Sequence, residues 1–259
     1  MITFEQIKII KMSFQKRKRI ILEELDSQGE VDIKKVAVAL DISEITIRRD
    51  LNQLAGDGLL YRTHGGAMKV NPLEIPHKFI NKAAKNTEAK DKICRAAAGM
   101  INDGDIIFMD CGSTVFRLCQ FIKNKKIKVI TNSIPVVFEL QNSLVSLNII
   151  GGEFDAERQA VHGRIANQHI AFYKADMAFL GADGISANGL FANSELEADI
   201  TRAFAAQSAK TCLLCDASKI GKESYLKFAK LKLINTIITD SQSEILEQFT
   251  KQGIEVLRV

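Results

Sequence analysis

Two neighbouring arginines, Arg48 and Arg49, sit in the segment SEITIRRDLNQL, where apolar residues recur at helical spacing. At about 100° per residue, Ile47, Leu51 and Leu54 share one face, which must pack against other elements. Ile45, Arg49, Asn52 and Gln53 point the opposite way, with Thr46 and Arg48 on the flanks. A guanidinium can take guanine O6 and N7, an asparagine amide can take adenine, and an isoleucine on a polar face suits a thymine methyl. Paired arginines also bring charge to phosphates. The chemistry is duplex-DNA recognition. A plain amphipathic helix with solvated arginines would carry the same residues, so the flanking elements must decide. Asp50 would be repelled by DNA, and we read it as the partner of a nearby basic side chain.

A second set of polar residues follows apolar runs further along. IIFMD leads into Asp110-Cys111-Gly112-Ser113-Thr114, KVIT into Asn132-Ser133, LNII into Gly151-Gly152, MAFLGAD into Asp183-Gly184, and KTCLLCDA into Asp216 with Ser218-Lys219. In an α/β sheet, ligands sit at the carboxyl ends of strands. Gly112 lets backbone approach an anion, Ser113 and Thr114 add hydroxyls, and the helix start adds N–H groups, which together make a phosphate cradle. Asp110 and Asp183 suit sugar hydroxyls, and Lys219 suits a phosphate or carboxyl group. The candidate effector residues are therefore Asp110, Gly112, Ser113, Thr114, Asn132, Ser133, Gly152, Asp183 and Lys219. Simple turn capping is the competing account of the same groups.

The elements that must hold these residues can be read in turn. A first helix runs from about Ser13 to Ser27 and ends at Gly29. A second begins at the N-cap Asp32, with Val31 and Val36 as a hydrophobic staple, and reaches Leu40. Ser43 caps a third helix through about Ala55, broken by Gly56 and Gly58. LLYRTHGGAMKV then reads as a hairpin around Gly65-Gly66. Three helices and a hairpin predict a winged helix-turn-helix over residues 13–70. Pro72 and Pro76 mark a linker over 71–86. From 87 to 259 strands alternate with helices, among them a helix at Thr87–Ile101, a long helix from Ser194 to Ser208 and one near Lys227–Leu233. That alternation predicts a mainly parallel sheet covered on both faces.

With 259 residues, two domains are natural, and 46% hydrophobic and 25% charged residues allow proper cores. The net charge of +4 says little, but Lys8, Lys11, Lys16, Arg17, Lys18 and Arg19 form a block without acids that suits phosphates or a solvated face. The first residues hold no secretory signal and no span, so a cytoplasmic chain with reduced thiols is expected. Cys212 and Cys215 fall on a strand-like run and read as core thiols. The scattered histidines His64, His77, His162 and His169 show no metal spacing, and we expect neither metal nor cofactor.

VDIKKVAVALDISEITIRRDLNQLAGDGLLYRTHGGA resembles the N-terminal domain of the DeoR family of sugar-metabolism regulators. The resemblance is carried by Ser43, Thr46 through Leu51, Leu54, Gly58, Leu60, Arg62 and His64 through Ala67. From Lys92 to Asp240 the pieces D-x-G-S-T, T-N-S, G-G, G-A-D-G and D-A-S-K are similar to that family's sensor domain. The resemblance implies operator contacts from Thr46, Arg48 and Arg49, with Arg62 and His64 on or near the wing. With Ser43, Ile45 and Asn52, these are our candidate DNA-binding residues. It also implies a sensor fold like ribose-5-phosphate isomerase, a phosphorylated sugar effector, and repression relieved when that effector binds. Paired half-sites suggest a homo-oligomer. Where family members carry an acidic-arginine pair in the linker, this chain has His77-Lys78, and residues 1–11 lie outside the match, so that Met12 would serve as a start. The main rival is a sugar-phosphate isomerase with an appended DNA-binding domain, which would need a carboxylate base such as Asp183, Glu195, Glu197 or Asp199. An architectural DNA binder without a ligand is the third reading.

Overall fold

The computed structural model describes residues 12–57, 59–63, 65–69, 82 and 84–259. The chain divides into two compact units between Lys85 and Asn86.

In the first unit, Ser13 accepts from Lys16 N and opens helix α1 (Phe14–Gln28), which Gly29 closes in the left-handed conformation. Strand β1 (Glu30–Asp32) follows. The Asp32 carboxylate accepts from Lys34 N at 2.8 Å and Lys35 N at 3.0 Å and so caps α2 (Ile33–Leu40). Those backbone donors hold the Asp32 carboxyl below its usual range. Ser43 caps α3 (Glu44–Gly56), of which Gly56 is the last residue rather than the breaker. Strands β2 (Leu60–Arg62) and β3 (Gly66–Lys69) form the hairpin. Gly58 lies outside the described residues, as does most of the 71–86 linker.

Strand β1 adds to β3 in the order β1-β3-β2, a pairing that the sequence did not announce. Its three residues alternate exposed, buried, exposed, so Val31 is its one apolar anchor. β3 passes β1 so closely at Gly66 that a Cβ there would run into the Val31 carbonyl. Ile21, Leu25, Val31, Ile33, Val36, Ile47, Leu51, Leu54 and Leu60 form the core of this unit.

The second unit opens with α4 (Thr87–Gly99). Its sheet comprises β4 (Ile106–Met109), β5 (Lys128–Thr131), β6 (Ser146–Ile149), β9 (Ala175–Leu180), β12 (Ser208–Leu214), β14 (Thr236–Thr239) and β15 (Glu255–Arg258). The seven strands lie in the order β15-β14-β12-β9-β4-β5-β6, and every pairing is parallel. The connecting helices are α5 (Ser113–Arg117), α6 (Cys119–Ile122), α7 (Ile134–Leu140), α8 (Arg164–Ile170), α9 (Glu195–Ala206) and α10 (Ile245–Lys251). Phe108, Ile130, Ala178, Leu180, Leu213 and Ile237 from the sheet pack with Ala198, Phe204, Leu246 and Phe249 from the helices.

Short antiparallel pieces decorate this frame. β7 (Glu153–Asp155) pairs with β8 (Ala160–His162), and β11 (Gly189–Ala192) lies between β10 (Gly184–Ser186) and β13 (Leu226–Ala229), antiparallel to both. The helix expected near Lys227–Leu233 is corrected: residues 226–229 form β13, and only Leu231–Leu233 make a 3-10 turn. The run LKFA alternates, with Phe228 buried, and hydrogen bonds to β11 outweigh the weak helical pattern. The long helix expected from Ser194 to Ser208 stops at Ala206, because Ser208 opens β12. Cys94, Cys111, Cys119, Cys212 and Cys215 are buried free thiols, and burial pushes each of them up.

Candidate DNA interface and effector site

On α3, Ile47, Leu51 and Leu54 are each 0% exposed, while Ile45 is 79% exposed. Arg48, Arg49, Asn52 and Gln53 lie on the solvent face, and Thr46 is half-buried. Ser43 Oγ lies 3.0 Å from Thr46 Oγ1, so both hydroxyls also serve the helix start. Arg48 Nη2 reaches Glu44 Oε2 at 3.3 Å with both side chains well exposed. Such an exposed pair contributes about 0–1 kcal/mol and yields readily to a phosphate or a base.

Asp50 points inward. Its carboxylate receives Arg17 Nε and, at 3.0 Å, Arg17 Nη2, which ties α1 to α3. Of the basic block from Lys8 to Arg19, Arg17 serves Asp50 and Arg19 Nε makes an exposed pair with Glu23 at 2.8 Å, while Lys8 and Lys11 lie outside the described residues. Asn52 Oδ1 accepts from Arg62 Nε at 2.9 Å, and Arg62 Nη1 donates to the Gly66 carbonyl, so Arg62 braces the wing against α3. Burial and the nearby Arg48 charge hold Arg62 below its usual pKa, a balance that an incoming anion would relieve. His64 lies outside the described residues.

In the second unit the strand-end residues play different parts. Asp110 is 4% exposed. Its carboxylate accepts from Cys111 N at 2.7 Å, Gly181 N at 3.3 Å and Thr201 Oγ1 at 3.0 Å. Burial raises its pKa against those donors. Asp110 thus holds the loop in place from within, and we reassign it from hydroxyl binding to positioning. Gly112 precedes α5, and a Cβ on it would sit 3.4 Å from Gly181 Cα, so two glycines let two strand ends close together. Thr114 is buried. Gly152 has φ 152°, and a Cβ there would lie 2.7 Å from the His162 carbonyl, so hairpin packing alone demands this glycine. Asp183 is half-buried, and its Oδ2 accepts from Asn193 N at 2.9 Å.

One residue that sequence reasoning passed over lies beside these turns. Lys90, on α4, is 3% exposed, and its Nζ lies 3.5 Å from Ser113 Oγ. Burial lowers its pKa to about 8, with Arg117 and Lys219 pushing the same way and Asp216 opposing. The signal was present: Lys90, Cys94 and Ala97 fall at helical spacing on the buried face of α4, so a lysine occupied an apolar position. Arg117 is held by Asp91, with Nη2 to Oδ2 at 2.8 Å. Burial works against the Asp216 carboxylate, yet bonds from Ser218 and Asn86 bring its pKa below normal. Lys219 follows in the 3-10 turn Ala217–Lys219. Asn132 and Ser133 are both 0% exposed. Asn132 Nδ2 donates to the Val161 carbonyl at 3.1 Å, whereas Asn132 Oδ1 and Ser133 Oγ have no partner among the described residues.

The DeoR C-terminal sensor domain matches residues 85–241, and the DeoR-like helix-turn-helix domain matches residues 17–72. The chain belongs to the DeoR family. Among curated relatives, the lactose phosphotransferase system repressor of Lactococcus lactis subsp. lactis is 36% identical over 249 residues, covering 93% of this chain and 97% of the relative. The repressor of the same name from Streptococcus mutans is 31% identical, covering 95% and 100%. The HTH-type transcriptional regulator UlaR of Shigella flexneri is 30% identical, covering 96% and 100%. Among solved structures, ribose 5-phosphate isomerase A from Methanocaldococcus jannaschii aligns with TM-score 0.39 and 19% identity, over 52% of this chain and 55% of that one. The fold rests on the strand order above rather than on that likeness.

As a DeoR-family member, the chain is a transcriptional regulator and not an isomerase: it binds DNA through the helix-turn-helix and an effector through the sensor domain. Among the described residues no helix is long and apolar enough to cross a membrane, and no three His, Cys, Asp or Glu side chains gather as a metal site.

Proposed function

We propose that this DeoR-family protein represses sugar-utilisation genes in the cytoplasm and leaves its duplex operator when a phosphorylated sugar fills the site formed by Lys90, Gly112, Ser113, Thr114 and Lys219. The observation that carries the reading is the buried Lys90 ammonium against Ser113, with Lys219 close enough to depress its pKa. Two cations crowded beside hydroxyls and the start of α5 form a site that gains from a phosphate dianion. The repressor names of the Lactococcus and Streptococcus relatives support both the sugar and the direction of control.

We further propose a homo-oligomer joined through the sensor unit. Ile149 on β6, Phe154 on β7, and Ile165 and Phe172 on or just after α8 are exposed by 44%, 52%, 64% and 83%. His169 Nδ1 accepts from Gly151 N at 3.0 Å and draws α8 to that corner, beside the open edge of the sheet. Paired half-sites need paired wings.

The phosphate reading gives a pH test. Lys90 loses its charge as pH rises through about 8. Phosphate-ligand affinity is therefore expected to fall between pH 7 and 9, and binding near pH 8 should draw a proton onto Lys90. The unfolded chain holds that proton up to about 10.5, so the free sensor should gain stability with rising pH from about 8 to 10.5. Lys90→Met should remove the stability trend and abolish binding of sugar phosphates by calorimetry, and Ser113→Ala should weaken it. A Lys90→Met variant that binds sugar phosphates like the parent would remove the site, and a parent that binds none would favour a DNA binder without a ligand.

A further inference from the structure

Beyond the phosphate cradle, a second polar group gathers at the same strand ends. Arg158, in the turn between β7 and β8, donates from Nη1 to Glu197 on the first turn of α9 and places Nε 3.5 Å from Asp155 Oδ2. The Arg158 and Glu197 side chains are 23% and 22% exposed, which leaves the pair sheltered but reachable. Both lie within electrostatic reach of Cys111, and the Asn132 amide faces the same thiol. Burial raises the proton affinity of Glu197, Arg158 opposes it, and Asp183 and Asp110 add to it. Beside them, on fully buried side chains, Asn132 Oδ1 and Ser133 Oγ have no partner among the described residues.

A sheltered ion pair and two orphaned acceptors cost stability unless something supplies their missing partners. Native proteins leave few such atoms, and those they leave ask for an occupant. The chemistry offered is that of neutral polyol recognition: a guanidinium to donate, a carboxyl group and an amide oxygen to accept, and a hydroxyl to do either. Cys111 directly precedes Gly112-Ser113, which sets this group next to the phosphate cradle along the same strand-end loop.

We propose that Arg158, Glu197, Asn132 and Ser133 form a separate sugar-end subsite, which takes the hydroxylated carbon chain of the effector and sets which sugar the sensor accepts. This rests on the phosphate reading above and adds to it a division of labour: phosphate at Lys90 and Ser113, stereochemistry at Arg158 and Glu197. Sites that hydrogen-bond hydroxyls discriminate strongly, because a mismatched ligand leaves buried polar groups unpaired.

The test uses the full-length chain and calorimetric Kd values for inorganic phosphate and for hexose phosphates that differ in one hydroxyl configuration. In Arg158→Gln, Glu197→Gln and Asn132→Ala, affinity for inorganic phosphate is expected to stay within about twofold. Discrimination between the best and worst sugar should fall at least about tenfold, on the order of one lost hydrogen bond to a charged group. Asn132→Ala leaves the ion pair intact, so it guards against a misfolded Arg158 variant, and thermal melting checks each. If all three variants discriminate like the parent, the subsite is overturned while the phosphate reading stands. If they lose inorganic phosphate as well, the division of labour is overturned. If Lys90→Met keeps its inorganic phosphate, the underlying phosphate reading fails instead.

Discussion

Alanine at both Arg48 and Arg49 is expected to abolish sequence-specific operator binding while leaving both units folded. A good bidentate arginine–base contact is worth about 1–3 kcal/mol of discrimination, so losing two should cost roughly 2–6 kcal/mol. That is on the order of 30-fold to 10⁴-fold in specific affinity. The helix itself should not suffer. Arg49 is exposed and Arg48 has only a surface contact to Glu44, whereas the helix is held by Ile47, Leu51 and Leu54 at 0% exposure. Fluorescence anisotropy on a duplex selected by the parent protein, against a scrambled duplex, reads the effect directly. The parent should show a large ratio of the two affinities and the double variant a ratio near one. An unchanged ratio with normal melting would take α3 out of the major groove.

The second large effect is one of stability. Asp50→Ala should destabilise the DNA-binding unit by about 3–5 kcal/mol, the range for removing one partner of a buried ion pair. The Asp50 side chain is 6% exposed and that of Arg17 13%, so the abandoned guanidinium would lose its carboxylate partner while staying largely sheltered from water. Arg17 also donates to the Met12 carbonyl, so the start of α1 should loosen with it. Asp50→Asn keeps one acceptor and should cost less. Denaturant unfolding of the unit resolves the two variants, and operator affinity should follow stability even though Asp50 touches no DNA. A loss below about 1 kcal/mol would show that the pair behaves like an exposed one.

The contrast between Asp50 and its neighbours shows what the sequence could reveal. Helical spacing put Ile47, Leu51 and Leu54 inside and the arginines outside, and the sign of its charge was enough to turn Asp50 away from DNA. Its partner was not readable, because Arg17 lies 33 positions earlier and only the packing of α1 on α3 brings the two together. The parallel sheet was legible, because most of its strands carry a short apolar run with a polar end, although the edge strands β6 and β15 do not. The pairings of β1, β7, β10, β11 and β13 were not, because strands of three or four residues leave too little alternation to read. In the sensor, the strand-end turns pointed to a candidate site but not to how deeply each of its residues is buried. Asp110 looked like a ligand group and is held by Gly181, Cys111 and Thr201, while Lys90 looked like one more helix lysine and is buried against Ser113. Burial separates them, and burial is a property of the folded chain.

The most direct measurement is an operator-binding titration of the full chain against a panel of phosphorylated sugars, each paired with its unphosphorylated counterpart. At least one phosphorylated member should release the operator at a concentration where its counterpart does nothing, and Lys90→Met should hold the operator throughout. Release by an unphosphorylated sugar alone, or by the same phosphorylated sugar in Lys90→Met, would contradict a phosphate-gated repressor.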